Sequence, residues 1–311
     1  MRIAVFGAGG VGGYFGGRLA QAGFEVTFIA RGAHLEAIRA AGLQVESVKG
    51  SFHVSPARAE SDPAAVGPVD IVLLGVKAGQ VAEAAQAIRP LVGADTVVIP
   101  LQNGVEAADE LSAVLGAAHV TGGLCRISSM IAGPGQIKHV AMDPYVAFNW
   151  FDNHADPRLQ ALREGFARVG VNAETPADIA AALWVKFAFI ASISGLGSVT
   201  RAPVGAYRAI PETRQMLEAA VYEIAAVGRA RGVALAPTLE QDTIRFIDGM
   251  PPATTTSMQR DIIDGKPSEL DYQNGSVVRL GLACGVPTPV HAHIYACLLP
   301  QEAKARGKAA F

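Results

Sequence analysis

Through the first 175 residues, short apolar runs alternate with stretches whose apolar positions recur at helical spacing. Ile3 to Phe6, Glu25 to Ile29, Val69 to Val76 and Thr96 to Leu101 read as strands. The nearly continuous apolar character of the first, third and fourth suits a parallel sheet covered on both faces. Helices are expected from Gly12 to Ala22 and from Gln80 to Ile88, and Leu43 to Glu46 with Ser51 to Val54 reads as a small hairpin around Lys49-Gly50. From Val120 the pattern changes. Thr121 to Ile131, Gln136 to Val140 and Tyr145 to Phe148 read as extended segments about Gly133-Pro134-Gly135, expected to finish the sheet in antiparallel fashion. An amphipathic helix, Pro157 to Val169, and a short strand, Val171 to Glu174, close this half. The second half is helical: Ala177 to Ser194, Pro211 to Arg231, Leu239 to Asp248, Leu270 to Gly285 and Thr288 to Leu299. The polar tail from Gln301 to Phe311 is expected to fray. The pattern predicts an α/β domain over 1–175 and an all-α domain over 176–311.

Composition narrows the class. With 50% hydrophobic and 17% charged residues in a chain of 311, a large core is available and disorder is disfavoured. A net charge of -2 gives no electrostatic footprint for nucleic acid or an acidic membrane. Cys125, Cys284 and Cys297 form no C-x-x-C pair, which suits a reducing, cytoplasmic setting and no metal site. No secretory signal is read at the amino terminus. The longest candidate membrane span, Leu183 to Val199, is interrupted by Lys186 and carries Gly195 and Gly197, so it reads as a buried helix.

The chemistry begins where the first strand ends. Gly7, Ala8, Gly9, Gly10, Val11 and Gly12 spell G-x-G-x-x-G between a strand and a helix, the setting that makes this motif a Rossmann-type dinucleotide fingerprint. A dinucleotide pyrophosphate sits on the N–H groups of such a helix start. An NAD-selective site places an acid about 20 residues further on. No Asp or Glu lies between Val26 and Leu35, and Arg31 stands there instead, so the reading is NADP. Lys77 and Asn103, beyond the third and fourth strands, are placed for a cofactor phosphate and for ribose or nicotinamide. Lys186 sits in an apolar helix and either snorkels to the surface or faces a functional cleft. In the polar run Thr254 to Asn274, Ser268 and Asp271 read equally as capping groups and Glu269 as a first-turn acid. His291 and His293 do not share a helix face and read as structural or exposed.

These pieces resemble the ketopantoate reductase (2-dehydropantoate 2-reductase) family over almost the whole chain. The matching segments are the glycine motif, Val76-Lys77-Ala78, Gln102-Asn103-Gly104, Gly133-Pro134-Gly135 with His139, Trp184-Val185-Lys186-Phe187, Ser257-Met258 through Asp261, and Glu269 through Gly275. The resemblance implies an NADPH-holding first domain, a second domain like the helical domain of 6-phosphogluconate dehydrogenase, and a substrate between them. It makes Lys186 the proton donor, Glu269 its partner near substrate and cofactor ribose, and Ser257 a ligand of the substrate carboxylate. It sets Asn103 towards the nicotinamide and substrate, and Arg31 and Lys77 on cofactor phosphates. The implied reaction is reduction of a 2-oxo acid, most simply ketopantoate to pantoate for pantothenate synthesis. Ile190, Ser194 and Val204 stand where the family commonly carries asparagines; of these only Ser194 offers a side-chain hydrogen bond to substrate. Reduction of a more apolar 2-oxo acid, or of another ketone or imine, therefore stays open, as does a non-catalytic NADP sensor. A homodimer through the helical half also stays open.

Overall fold

The structure, a computed structural model, describes residues 1–310. Two compact units emerge: residues 1–102 with 107–179, and residues 103–106 with those from 180 on. The chain leaves the first unit at the first residue of a long helix, and four residues from its middle group with the second.

The first unit runs β1 (Arg2–Phe6), α1 (Gly10–Gln21), β2 (Glu25–Ile29), α2 (Gly32–Ala41), β3 (Leu43–Ser47), β4 (Phe52–Val54), β5 (Arg58–Glu60), β6 (Ile71–Leu74), α3 (Val81–Ala87), β7 (Val97–Pro100), α4 (Ala107–Leu115), β8 (Gly122–Gly133), β9 (Gln136–Asn149), α5 (Pro157–Arg168) and β10 (Asn172–Glu174). Strands β5, β2, β1, β6 and β7, in that order, make an all-parallel sheet. The apolar residues of β1, β6 and β7 are buried on both faces, as a parallel strand requires.

The extended segments after Val120 do not finish that sheet. They form a β8–β9 hairpin that heads a second sheet, β10-β9-β3-β4, where β3 pairs parallel with β9 through Gln44–Gln136 to Ser47–His139. The isolated Val98–Val120 bridge, with the Thr121 amide and hydroxyl donating to the Val98 carbonyl at 3.1 and 3.3 Å, joins this stretch to β7. The β3–β4 hairpin supplies the edge that captures β9. At Gly123 the backbone passes so close to Pro100 that a Cβ would lie 2.2 Å from its carbonyl oxygen, so β8 crosses the end of β7 instead of pairing along it. The two strands expected over Gln136–Val140 and Tyr145–Phe148 are one strand, with Met142 at φ 69 in its middle.

Helix α1 lies against both sheets, and its glycines explain how. A Cβ on Gly16 would meet Val5 at 2.6 Å, while on Gly13 and Gly17 it would meet Ile137 and Phe52 at 2.8 Å. Glycine costs a helix about 1 kcal/mol relative to alanine, and close sheet packing on two sides offsets it. Tyr14 and Phe15, fully buried, pack edge-on with each other, with Phe52 and with Phe166.

The second unit comprises α6 (Ile179–Thr200, entering at Ala180), α7 (Val204–Ala209), α8 (Pro211–Ala230), α9 (Leu239–Asp248), α10 (Ser257–Ile263), a 3₁₀ turn (Leu270–Tyr272), α11 (Asn274–Cys284) and α12 (Pro289–Ala305). Helix α6 is apolar on all sides. Among the described residues it is the helix long and apolar enough to cross a membrane, and 67% of its most apolar window is buried within the protein, as for a core helix. It continues past Ser194 because Gly195 and Gly197 seat Asn274 and Gln259 against its backbone. The tail is not frayed up to Ala305. Glu302, buried, accepts hydrogen bonds from the Ser268 amide and hydroxyl at 3.1 and 2.6 Å and pairs with Arg306 at 2.6 Å. The helix expected over Leu270–Gly285 is broken at Gln273, whose φ of -106 and ψ of -88 separate the 3₁₀ turn from α11.

Candidate functional site

The glycine loop lies at the carboxyl end of β1. Gly7 takes φ +93, open to glycine, and the Gly7 and Ala8 amides donate to the Ile29 carbonyl at 3.3 and 3.4 Å. A Cβ on Gly12 would sit 2.2 Å from the Gly7 oxygen, so a side chain there would push the helix off its strand. The first hydrogen bond inside α1 is Gly13 N–H to Gly9 at 2.7 Å. The N–H groups of Gly10, Val11 and Gly12 therefore precede the helical ladder. No side chain caps them and no acid lies in the first turn. The space a Cβ on Gly9 would take is open. This is a fit for a pyrophosphate: N–H groups ahead of the helical ladder, the positive end of a helix, and room at Gly9.

Around that loop the parallel topology brings further groups to one sheet edge. Arg31, exposed, caps α2 two residues beyond β2. Lys77, exposed, follows β6. Two more residues complete the edge: His34, not singled out from sequence, and Gln102, read there only as part of the Gln102-Asn103-Gly104 segment. His34 Nε2 donates to the Ala8 carbonyl at 2.8 Å, and its Nδ1 accepts from the Gly135 amide at 3.1 Å, so one imidazole ties α2, the glycine loop and the β8–β9 turn together. Gln102, buried, donates from Nε2 to the carbonyls of Leu74 and Val76 at 2.9 and 3.0 Å. His139 is structural, bonded through both ring nitrogens to Ser47 and to the Ala141 and Met142 carbonyls.

The second unit holds the candidate chemistry. Lys186 is half-buried on α6 and its Nζ is sheltered from solvent. Glu269, at the start of the 3₁₀ turn, accepts on Oε2 from Asn103 Nδ2 at 2.9 Å and from Gln273 Nε2 at 3.3 Å. The sequence motif brings Asn103 and Glu269, 166 residues apart, into direct contact; Gln273 is a third member found only in the fold. Ser257 is exposed in the first turn of α10, which Thr256 caps with Gln259. Ser194 is fully enclosed, and its Oγ finds no hydrogen-bond partner. Ile190 is partly buried against two apolar clusters, and Val204 is a core residue at 1% exposure. Ser268 and Asp271 are structural. The Ser268 hydroxyl accepts from the Leu270 amide, and Asp271 accepts from the Tyr295 hydroxyl at 2.6 Å. His291 is buried and neutral, accepting from Asn274 and donating to the Ala220 carbonyl; His293 is exposed.

Comparison with known proteins decides the family. Residues 3–150 match the family described as ketopantoate reductase PanE/ApbA, and residues 178–302 match its C-terminal domain. The chain belongs to the ketopantoate reductase family. It is 31% identical over 304 residues, 98% of this chain and 100% of the other, to the uncharacterized oxidoreductase YkpB of Bacillus subtilis. The solved PanE/ApbA family ketopantoate reductase of Ralstonia eutropha is 34% identical, with a TM-score of 0.88 over 98% of this chain and 100% of that one. A D-mandelate dehydrogenase solved with NADH and anilino(oxo)acetate is 25% identical, with a TM-score of 0.85 over 98% and 100% of the two chains. As a member of the ketopantoate reductase family the protein is an oxidoreductase, with the parallel-sheet and helical domains of that family.

Proposed function

We propose that this ketopantoate reductase family member reduces a 2-oxo acid to a 2-hydroxy acid with NADPH, with 2-dehydropantoate as the first substrate to test. The observation that carries the reading is the presence, in one unit, of a solvent-sheltered lysine on α6 and of a carboxylate held by two amides. A reduced nicotinamide supplies the hydride when bound. Gly9 to Gly12 hold the pyrophosphate, Arg31 meets the 2′-phosphate, and Lys77 neutralises a cofactor phosphate. Arg31 is the reason for preferring NADPH: a guanidinium bonds a 2′-phosphate twice, and no acid competes for the ribose.

Lys186 stabilises the negative charge that grows on the substrate carbonyl oxygen and then protonates it. Glu269, fixed by Asn103 and Gln273, orients the ammonium. Ser257 receives the substrate carboxylate. Lys186→Ala is expected to lower kcat about 10²–10⁴-fold, the worth of a positioned general acid, while NADPH affinity changes less than about 3-fold. Full turnover in that variant overturns the role.

A second reading follows from Ile190. It lies one turn beyond Lys186 and packs on both apolar clusters of the unit, so the ground next to the lysine is apolar. A branched or aromatic 2-oxo acid suits that surface better than one carrying a hydroxyl. A panel of ketopantoate, aliphatic and aromatic 2-oxo acids and a cyclic imine, followed by NADPH oxidation, separates the readings. Oxidation with none of them leaves the sensor.

A further inference from the structure

The four residues 103–106 belong to the second unit by contact although the chain on either side of them belongs to the first. What holds this strap is visible. Glu106 Oε2 accepts from the Ser276 hydroxyl on α11 and, at 2.8 Å, from Arg279 Nη2. The same Arg279 nitrogen donates to the Asp271 carbonyl at 2.9 Å, so one guanidinium ties the strap to the turn that follows Glu269. Gly104 takes φ +102, and a Cβ on it would lie 2.7 Å from the Tyr272 oxygen, so the strap lies flat on that turn's backbone. Val105 packs on the apolar cluster beneath. Three residues before Glu106, Asn103 delivers its amide to Glu269.

From this we propose that Glu106 and Arg279 are positioning residues, whose ion pair on α11 fixes the strap so that the Asn103 amide holds the Glu269 carboxylate in place. The proposal rests on the reading of Lys186 and Glu269 as a reductase pair. Neither residue touches reacting atoms. They act through Asn103, and a misplacement of about 1 Å at a distance can cost a site as much as 10²-fold. Glu106 keeps 21% and Arg279 47% of its side chain exposed, so replacing either leaves the apolar core intact.

The test is kinetic and spectroscopic. Glu106→Leu is expected to lower kcat about 10–100-fold with the 2-oxo acid that the parent reduces, while the NADPH dissociation constant and Tm stay near the parent's. Glu106→Gln, whose amide oxygen still accepts from Ser276 and Arg279, is expected to recover most of that loss. Arg279→Met added to Glu106→Leu is expected to cost less than the product of the two single losses, because both remove the Glu106–Arg279 link. Unchanged kcat in Glu106→Leu, or losses that multiply in the double variant, overturns the proposal. A parent that reduces nothing overturns the reductase reading instead. The strap is then read by the Asn103 side-chain amide protons in ¹⁵N-asparagine-labelled protein. Protection from exchange in the parent and its loss in both Glu106→Leu and Glu269→Ala support the positioning role; protection unchanged in Glu106→Leu defeats it.

Discussion

At the scale of single residues, charge decides the sharpest expectations. Arg31 is exposed and is the residue on which the proposed NADPH preference rests, so Arg31→Ala is expected to raise the NADPH dissociation constant about 10–100-fold, the worth of a charge-assisted bidentate contact. NADH binding should move less than about 3-fold, and fluorescence titration with both cofactors measures the ratio. An equal loss for both would assign Arg31 to a shared phosphate. His291 makes a different prediction. Complete burial pushes its imidazole down from 6.5 to about 4. The folded chain therefore refuses a proton that the unfolded chain takes up below pH 6.5. Stability is whole above that pH and falls as pH drops towards 4, by roughly 3 kcal/mol in all. Urea midpoints between pH 7.5 and 4.5 should slope accordingly. His291→Gln, whose amide still reaches the Ala220 carbonyl, should flatten that part of the slope.

Elements are held by their ends as much as by their faces, and α5 shows it. Asp156 accepts from the Arg158 amide at 2.8 Å, from the Trp150 indole at 3.0 Å and from the Arg158 guanidinium at 2.6 Å. Burial alone pushes this carboxyl up, but the Arg158 and Trp150 bonds outweigh it and hold it at about 2, against 3.8 in the open chain. Its contribution is present above pH 4 and is lost as pH falls from 3.8 towards 2. Asp156→Asn should cost about 2 kcal/mol at pH 7, with the gap to the parent closing in acid. Periodicity announces elements of this kind, since an apolar strand or an amphipathic helix carries its own signal. The strands β1, β2, β6 and β7, the β3–β4 hairpin and the helices α5, α8 and α9 are legible from it; the three-residue β5 and the helices α2 and α4 are not. The second sheet was not, because nothing within β9 says which edge will receive it; the β3–β4 hairpin decides that from ninety residues away. The same holds at the site. Glycine spacing and an isolated lysine are visible in one dimension. His34 and Gln273 join the candidate site only through the backbone and carboxylate that the fold brings to them.

For the molecule as a whole, the consequence is that each unit owns its own core and part of the proposed machinery. Trp150 is buried with the aromatic cluster of the first unit, and Trp184 with Phe187, Leu235 and α8 of the second. These are the only tryptophans in the chain, so each reports one unit. The glycine motif, Arg31 and Lys77 all lie in the first, and a ligand stabilises only the state that binds it. NADPH at about 100 times its dissociation constant adds about 2.7 kcal/mol to the folded form of whatever unfolds with that motif. In Trp184→Phe, where Trp150 alone emits, the urea midpoint should rise by about 1 M, given a slope of about 2–3 kcal/mol/M. In Trp150→Phe, where Trp184 alone emits, the rise should be less than half of that. Equal shifts at both tryptophans would mean that the units unfold as one. No shift at either would mean that the glycine loop holds no dinucleotide, which removes the hydride source and with it the proposed reduction.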